Sequence, residues 1–233
     1  MTRAALSWVP RSRRALLVVT ITAVAAVALV GTGAWLRRQP PPLPTYGEVP
    51  EFALIERSRQ TIGRSALVGK VSIVDFFYTR CPDVCPLQSA NLARLQTELA
   101  DAPDALLVSI TVDPDYDRPD VLAAYATRFD ADPTRWLFLT GQREAIYRLA
   151  VDGFHLAAVV SGALRPNPGW PGLGPARAWA HEEAARPKVI QLVHASYFAL
   201  VDRQAHIRGY FDGTSWDDVQ RLQKDAKRLL AQP

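Results

Sequence analysis

The sequence predicts an α/β domain built on a parallel or mixed sheet. Short apolar runs of strand length alternate with amphipathic helical segments, and no internal repeat is visible. Apolar residues make up 48% of the 233 residues and charged residues 21%, which is typical of a globular domain with one membrane segment. The formal net charge of +4 is small and the sequence has no long Lys/Arg run, so nucleic-acid binding is not predicted.

The first predicted strand, residues 71–77, is a nearly continuous apolar run that is typical of a strand buried on both faces. The remaining predicted elements are a helix over 86–99, a strand over 105–112, a helix over 118–129, a strand over 136–139, a helix over 142–151, strands over 196–201 and 207–211, and a helix over 214–230. Two central parallel βα units followed by a hairpin and a helix indicate a thioredoxin-like fold. Residues 161–187, rich in Pro, Gly, Trp and Ala, predict a long loop inserted before that hairpin.

The N-terminus predicts a membrane anchor. Residues 15–36 carry no charged side chain and are long enough, as a helix, to span the hydrocarbon layer. More arginines precede this segment than follow it, which places the basic residues 1–14 in the cytoplasm and the later domain on the periplasmic or extracytoplasmic side. Residues 37–45 form a proline-rich linker, and residues 46–233 form the domain. The alternative is a cleaved signal peptide, with small residues at 31–34 as the cleavage region.

The two cysteines of the chain lie in one short segment, Cys81-Pro82-Asp83-Val84-Cys85. They are too close together to staple the chain, so chemistry at the thiols is the better explanation. At positions i and i+4 on a helix, both sulfurs can face one ion, and soft thiolates favour Cu(I) or Zn(II). The same pair could form a disulfide. The helix N-terminus and the neighbouring Arg80 are expected to lower a thiol pKa here.

Two thiolates are a thin ligand set for a retained metal, so a third ligand is expected. The chain has four histidines, at positions 155, 181, 194 and 206. His194 is favoured because it begins the strand-like segment after the loop, which parallel-sheet geometry can bring beside the end of residues 71–77. The spacing alone leaves His155, His181 and His206 open.

Residues 77–86, FYTRCPDVCP, resemble the signature of the Sco/SenC proteins, which are membrane-anchored, thioredoxin-like copper-binding proteins of cytochrome c oxidase assembly. The resemblance continues in order through residues 109–114, 125, 129, 136–141, 194, 197–202 and 209–211. It implies that Cys81, Cys85 and His194 are the metal ligands, that Cu(I) is the ion, and that Asp113 lies near the site. Arg80 and Val193 stand where the family often has a histidine and an acidic residue.

The resemblance implies a copper chaperone that delivers Cu(I) to, or prepares the cysteines of, a cytochrome c oxidase copper centre. Its partner would be an oxidase subunit or another copper protein, and its N-terminal helix would hold it in the membrane. The alternative is a membrane-tethered thiol–disulfide oxidoreductase that holds no metal, with Cys81 and Cys85 as its redox-active pair. A peroxidase is less favoured because no motif supports one beyond the shared fold.

Overall fold

The computed structural model describes residues 20–22, 24–26, 28, 41–156 and 196–232. The chain forms two compact units, Met1–Pro42 and Leu43–Pro233. In the first unit, the described residues 20–22, 24–26 and 28 are helical. Within the described ranges, no helix is both long and apolar enough to cross a membrane. The predicted anchor at 15–36 lies largely outside those ranges, as does the predicted loop at 161–187, and both stay predictions.

The second unit contains a mixed sheet of eight described strands: β1 (Gly47–Glu48), β2 (Ala53–Glu56), β3 (Thr61–Gly63), β4 (Val71–Phe77), β5 (Ala105–Thr111), β6 (Trp136–Thr140), β7 (Tyr197–Val201) and β8 (His206–Asp212). Their order in the sheet is β1-β8-β7-β4-β5-β6-β2-β3. The described α-helices of this unit are α1 (Val84–Glu98), α2 (Pro119–Thr127), α3 (Arg143–Arg148) and α4 (Trp216–Leu230).

The centre of the sheet is parallel and its flanks are antiparallel. Strands β4, β5 and β6 run parallel, with Phe77 level with Thr111. All seven residues of β4 and of β5 are buried, as expected for apolar strands covered on both faces. Because parallel strands end at the same edge of a sheet, the segments after β4 and β5 lie side by side.

Consecutive aromatic residues of β4 show how the two faces of the sheet are covered. Phe77 packs against Tyr125 of α2, with ring centroids 5.2 Å apart. The hydroxyl groups of Tyr125 and Ser89 are hydrogen-bonded at 2.9 Å, which places α1 beside α2 on this face. Phe76 points to the opposite face, where its ring packs edge-on against Phe154 at 5.4 Å.

The order of predicted elements from residue 71 onward is confirmed, and the thioredoxin-like α/β class with it. Four details differ. Helix α1 begins at Val84 rather than at residue 86, and α3 ends at Arg148 in a π-helical turn, Leu149–Gly153. Strand β7 pairs antiparallel with β4, so the parallel geometry invoked for this segment is wrong. Strands β1 to β3 were not predicted because, at two to four residues, they are too short to show a periodic pattern.

Candidate metal centre

The two cysteines lie at the carboxyl end of β4. Cys81 sits in a turn that is closed by its N–H bonding to the Tyr78 carbonyl at 3.2 Å, and Cys85 lies in the first turn of α1. Both are in the thiol form and buried, with 7% and 2% of their surfaces exposed. The prediction that both occupy one helical face is wrong for Cys81, because the helix begins three residues after it. The turn nevertheless brings the two residues together.

The geometry around the sulfurs is set by the helix start. The backbone N–H of Cys85 donates to the Cys81 sulfur at 3.4 Å. This N–H lies in the first helical turn, where it has no acceptor within the helix, and the sulfur takes that place. The pKa of the Cys85 thiol is raised, first because it hydrogen-bonds to Cys81, and then by burial. The Tyr78 backbone opposes these effects and the carboxylate of Asp75 adds to them. The expected lowering of the pKa is therefore wrong for Cys85: hydrogen bonding to Cys81 and burial outweigh the helix terminus.

Arg80 was expected to favour the thiolates, but its charge is paired with a carboxylate. Its guanidinium forms an ion pair with Asp113 at 2.5 Å and lies 4.1 Å above the ring centroid of Tyr116. Hydrogen bonding to Asp113 is the first cause of the raised pKa of Arg80. Asp113 thus contacts the residue next to Cys81, as the resemblance implied.

A second carboxylate holds the segment before the cysteines. Asp117 is 0% exposed. It accepts hydrogen bonds from the Thr79 N–H at 3.0 Å, from the Thr79 hydroxyl, and from the Thr111 hydroxyl at 2.5 Å. Burial raises the pKa of Asp117 and these hydrogen bonds oppose the rise. The last residue of β5 and the segment after β4 are therefore joined through one buried side chain.

A third carboxylate, Asp75, lies in the middle of β4. It is 0% exposed, and its Oδ1 atom accepts a hydrogen bond from the Ser109 hydroxyl at 2.6 Å. The indole N–H of Trp136 donates to the same hydroxyl at 2.9 Å. The Oδ2 atom of Asp75 has no hydrogen-bond partner, and burial raises the pKa of this carboxyl group to about 7.

The predicted third ligand, His194, lies outside the described residues, as does His181. The start of β7 is described: its antiparallel register with β4 places Tyr197 at the edge of the sheet where β4 ends. His206 lies at the opposite edge, where its backbone N–H donates to Asp202. His155 packs against Gly47 of β1. Among the described residues, no group of three or more His, Cys, Asp or Glu side chains could hold a metal ion.

Sequence reasoning assigned no role to Asp75, Asp117, Thr79 or Thr111, although both threonines lie in segments that carry the family resemblance. Asp75 carried a signal, because a carboxylate in a nearly continuous apolar strand that is predicted to be buried on both faces is costly to bury and needs an explanation. The two threonines stand at or just after the ends of adjacent parallel strands, which predicts that they lie near each other. Nothing in the spacing pointed to Asp117, whose role depends on the path of the chain after β5.

A mixed sheet with two thiols at the end of a central parallel strand defines a thioredoxin-like thiol domain. Residues 42–167 match the model of the SCO1/SenC family. A SCO1 homologue from Bacillus subtilis is 31% identical over 190 residues, which cover 80% of this chain and 86% of that protein. The chain belongs to the SCO1/SenC family.

Two solved structures share the fold. BsSco, a member of the Sco family of cytochrome c oxidase assembly proteins in which a disulfide switch was identified, has a TM-score of 0.63 at 23% identity, covering 84% of this chain and 100% of that one. Yeast Sco1 with copper bound has a TM-score of 0.55 at 20% identity, covering 82% of this chain and 96% of that one.

Proposed function

We propose that this chain binds Cu(I) through Cys81 and Cys85, and that it delivers the ion to, or prepares the cysteines of, a cytochrome c oxidase copper centre. The observation that carries this proposal is the contact between the two cysteines, in which the Cys85 N–H lies 3.4 Å from the Cys81 sulfur. Two adjacent soft donors in a buried, largely apolar setting suit a monovalent copper ion. Membership of the SCO1/SenC family and the copper-bound state of yeast Sco1 support copper as the metal.

We propose His194 as the third ligand. Tyr197, three residues further along the chain, begins β7 at the same sheet edge as the end of β4. Three residues of extended chain span at most about 10 Å, and this chain length is compatible with the proposed ligation. An imidazole would complete a three-coordinate set with the two sulfurs, and it would leave the ion accessible to ligands of a partner protein.

The protein's own residues provide three things to such an ion. The turn and the first turn of α1 hold two sulfurs together, and the Cys85 thiol gives up its proton when copper binds. Burial of both cysteines slows, without preventing, the reaction of bulk oxidants with the reduced pair. When bound, the ion is cargo, and it would leave by exchange of these sulfurs for the ligands of the acceptor.

Oxidase activity in a strain lacking this gene tests the proposal. Full-length wild-type chain is expected to restore activity, whereas Cys81→Ser, Cys85→Ser and His194→Ala are not. Added copper is expected to rescue the deletion strain at least in part if the chain supplies the ion. Full activity in the deletion strain without added copper, or in all three variants, would contradict the proposal.

A second candidate, a membrane-tethered thiol–disulfide oxidoreductase, rests on the same contact. Two cysteines in contact can also exchange disulfides with a client, and BsSco contains a disulfide switch. Trapping a client as a mixed disulfide on Cys85→Ser or Cys81→Ser, together with a reduction potential suited to thiol reduction, would favour this role. Tight copper retention by the reduced wild-type chain and no trapped client would count against it.

We also propose that the domain lies on the periplasmic or extracytoplasmic side, held by the segment at residues 15–36. The support is the uncharged length of that segment and the excess of arginine before it. Alkaline phosphatase fused to the C-terminus is expected to be active, because that enzyme needs an extracytoplasmic location to form its disulfides. An inactive fusion that accumulates at the normal level would contradict this topology.

A further inference from the structure

The segment after β4 is fastened to the segment after β5 at successive points along the chain. The Val112 N–H donates to the Phe77 carbonyl at 2.8 Å. Asp117 then binds both the backbone and the hydroxyl of Thr79, and Asp113 pairs with Arg80. Each contact lies one or two residues closer to Cys81 than the contact before it. The position of Cys81 is therefore fixed by the neighbouring loop as well as by its own strand.

The Asp117 contact is the stronger of the two carboxylate contacts. Asp117 is completely buried, whereas the Arg80 side chain of the other pair is 56% exposed. An exposed ion pair is screened by solvent and contributes little, but a buried carboxylate that accepts three hydrogen bonds is costly to disturb. Removing it would leave the Thr79 N–H and two threonine hydroxyl groups without this acceptor.

Thr111 extends the same arrangement into the sheet. Its hydroxyl donates to Asp117 and also accepts the Asp113 N–H at 3.0 Å, so the loop that carries both carboxylates is tied to the end of β5. Asp117 is thus held in place by Thr111 at the end of β5. Only one residue stands between its other partner, Thr79, and Cys81. A rigid contact at this distance restricts how far the Cys81 sulfur can move away from Cys85.

We propose that Asp117 is a positioning residue that holds the Cys81 sulfur against Cys85, so that both sulfurs act on one atom. This inference rests on the proposed use of the same thiol pair and extends it to a side chain that touches neither sulfur. It applies equally to chelation of an ion and to closure of a disulfide, because both require the two sulfurs at a short, fixed separation. Loss of Asp117 leaves each thiol intact and reduces only the ability of the two sulfurs to act together on one atom, which we call their cooperation.

Closure of the disulfide measures this cooperation without copper. The reduced full-length chain is mixed with excess dithiobis(nitrobenzoate), an aromatic disulfide, in a stopped-flow instrument. One cysteine thiolate attacks the reagent, releases one thionitrobenzoate and becomes a mixed disulfide. The other cysteine thiolate then attacks the protein sulfur of that mixed disulfide, which forms the Cys81–Cys85 bond and expels a second thionitrobenzoate. Once the reagent concentration makes the first release faster than the second, the rate of the second release no longer depends on that concentration and reports how closely the sulfurs are held.

We expect Asp117→Ala to slow this second release by about tenfold, since small displacements of reacting groups cost at least this much. Asp117→Asn, which is uncharged but still accepts hydrogen bonds, should stay within about threefold of wild type if position rather than charge is responsible. The matched control is Asp202→Ala. Asp202 is likewise a buried carboxylate that accepts hydrogen bonds in a turn, from two backbone N–H groups at 2.9 Å each, but it lies at the opposite edge of the sheet.

Thr79→Val is a milder variant that keeps the test decisive if Asp117→Ala fails to fold. It removes only the hydroxyl contact to Asp117 and is expected to slow closure by about threefold. Its control is Thr134→Val, because Thr134 donates its N–H and its hydroxyl to Asp132 in the same manner, in the loop before β6.

The inference is overturned if both variants close as fast as wild type, if either control slows closure equally, or if Asp117→Asn behaves like Asp117→Ala. Copper affinity is measured on the same samples by competition with a Cu(I) chelator, and about a tenfold loss is expected for Asp117→Ala. Failure of the wild-type chain to bind copper would refute the proposed function alone, because the closure rates stand without the ion.

Discussion

Asp75 accepts a 2.6 Å hydrogen bond from Ser109, its direct partner across the central parallel strands β4 and β5. Only one carboxyl oxygen of Asp75 is satisfied, and the group is completely buried. Burial disfavours the charged form, so the pKa of this carboxyl rises from 3.8 to about 7. A group that changes charge near neutral pH therefore lies inside the sheet, in the strand that leads to the two cysteines.

This burial predicts a pH-dependent stability. Below about pH 4 both the folded and the unfolded chain keep the Asp75 proton, and its contribution to stability is complete. As the pH rises toward 7, the unfolded chain has lost the proton while the folded chain retains it, so the free energy of unfolding falls. Above 7 the loss is complete, at about 4 kcal/mol for a pKa raised from 3.8 to about 7.

The Asp75→Asn variant removes this dependence. Between pH 5 and pH 8 we expect the reduced wild-type domain to lose about 2 to 3 kcal/mol more of its unfolding free energy than the variant loses. Denaturant unfolding at both pH values measures the difference. Equal losses in the two proteins would show that the Asp75 carboxyl does not titrate in this range.

Ser109→Ala should move the same transition to higher pH. The Ser109 hydroxyl bond favours the charged carboxylate, so losing it raises the pKa of Asp75 above 7. The variant also loses the acceptor for the Trp136 indole N–H, which should lower stability at every pH by about 1 to 3 kcal/mol. The midpoint of the pH dependence separates the two effects, and an unchanged midpoint would contradict the assignment to Asp75.

Gly213→Ala should destabilise the packing of the segment after β8 against β7 and α1. A Cβ atom at position 213 would lie 2.7 Å from the Phe198 ring and 3.0 Å from the Gln88 amide nitrogen. Overpacking of this kind costs about 1 to 3 kcal/mol of unfolding free energy. Replacing the Phe198 ring with the smaller leucine side chain in the same chain should recover part of that loss. The double variant should then be more stable than the sum of the two single losses predicts.

The control for this substitution is Gly69→Ala. Gly69 has a φ of +82°, and a Cβ atom added there would meet no heavy atom within 4 Å, so its cost comes from backbone strain alone. Phe198→Leu should not recover that loss. Equal recovery at both glycines would mean that Phe198 does not contact position 213 as described.

The elements from residue 71 onward could be predicted because their sequence patterns are long. Strands β4 and β5 are seven-residue apolar runs, and α4 shows a clear apolar face over fifteen residues. The pairing of β7 could not be derived in the same way, because the direction of a strand in a sheet depends on contacts made far along the chain. The very short strands β1, β2 and β3 are set by pairing with β8, β6 and β2, respectively, and the local sequence does not encode these pairings.

The predictions for the candidate site were also correct only in part. The spacing of Cys81 and Cys85 predicted that the two thiols lie close together, and they do. The helix N-terminus and Arg80 predicted a lower thiol pKa, and for Cys85 this prediction is wrong because hydrogen bonding to Cys81 and burial act in the opposite direction. The roles of Asp113 and Asp117 needed the fold, since each acts on a residue more than thirty positions away.

Copper binding by the reduced full-length chain tests the central claim most directly. Anaerobic titration with Cu(I) against a competing chelator should give about one tightly held ion per chain, lost in Cys81→Ser and in Cys85→Ser. His194→Ala should weaken binding by about tenfold or more, whereas His206→Ala, which alters a histidine at the opposite edge of the sheet, should leave it unchanged. No retained copper under reducing conditions, or equal retention by Cys85→Ser, would contradict the account.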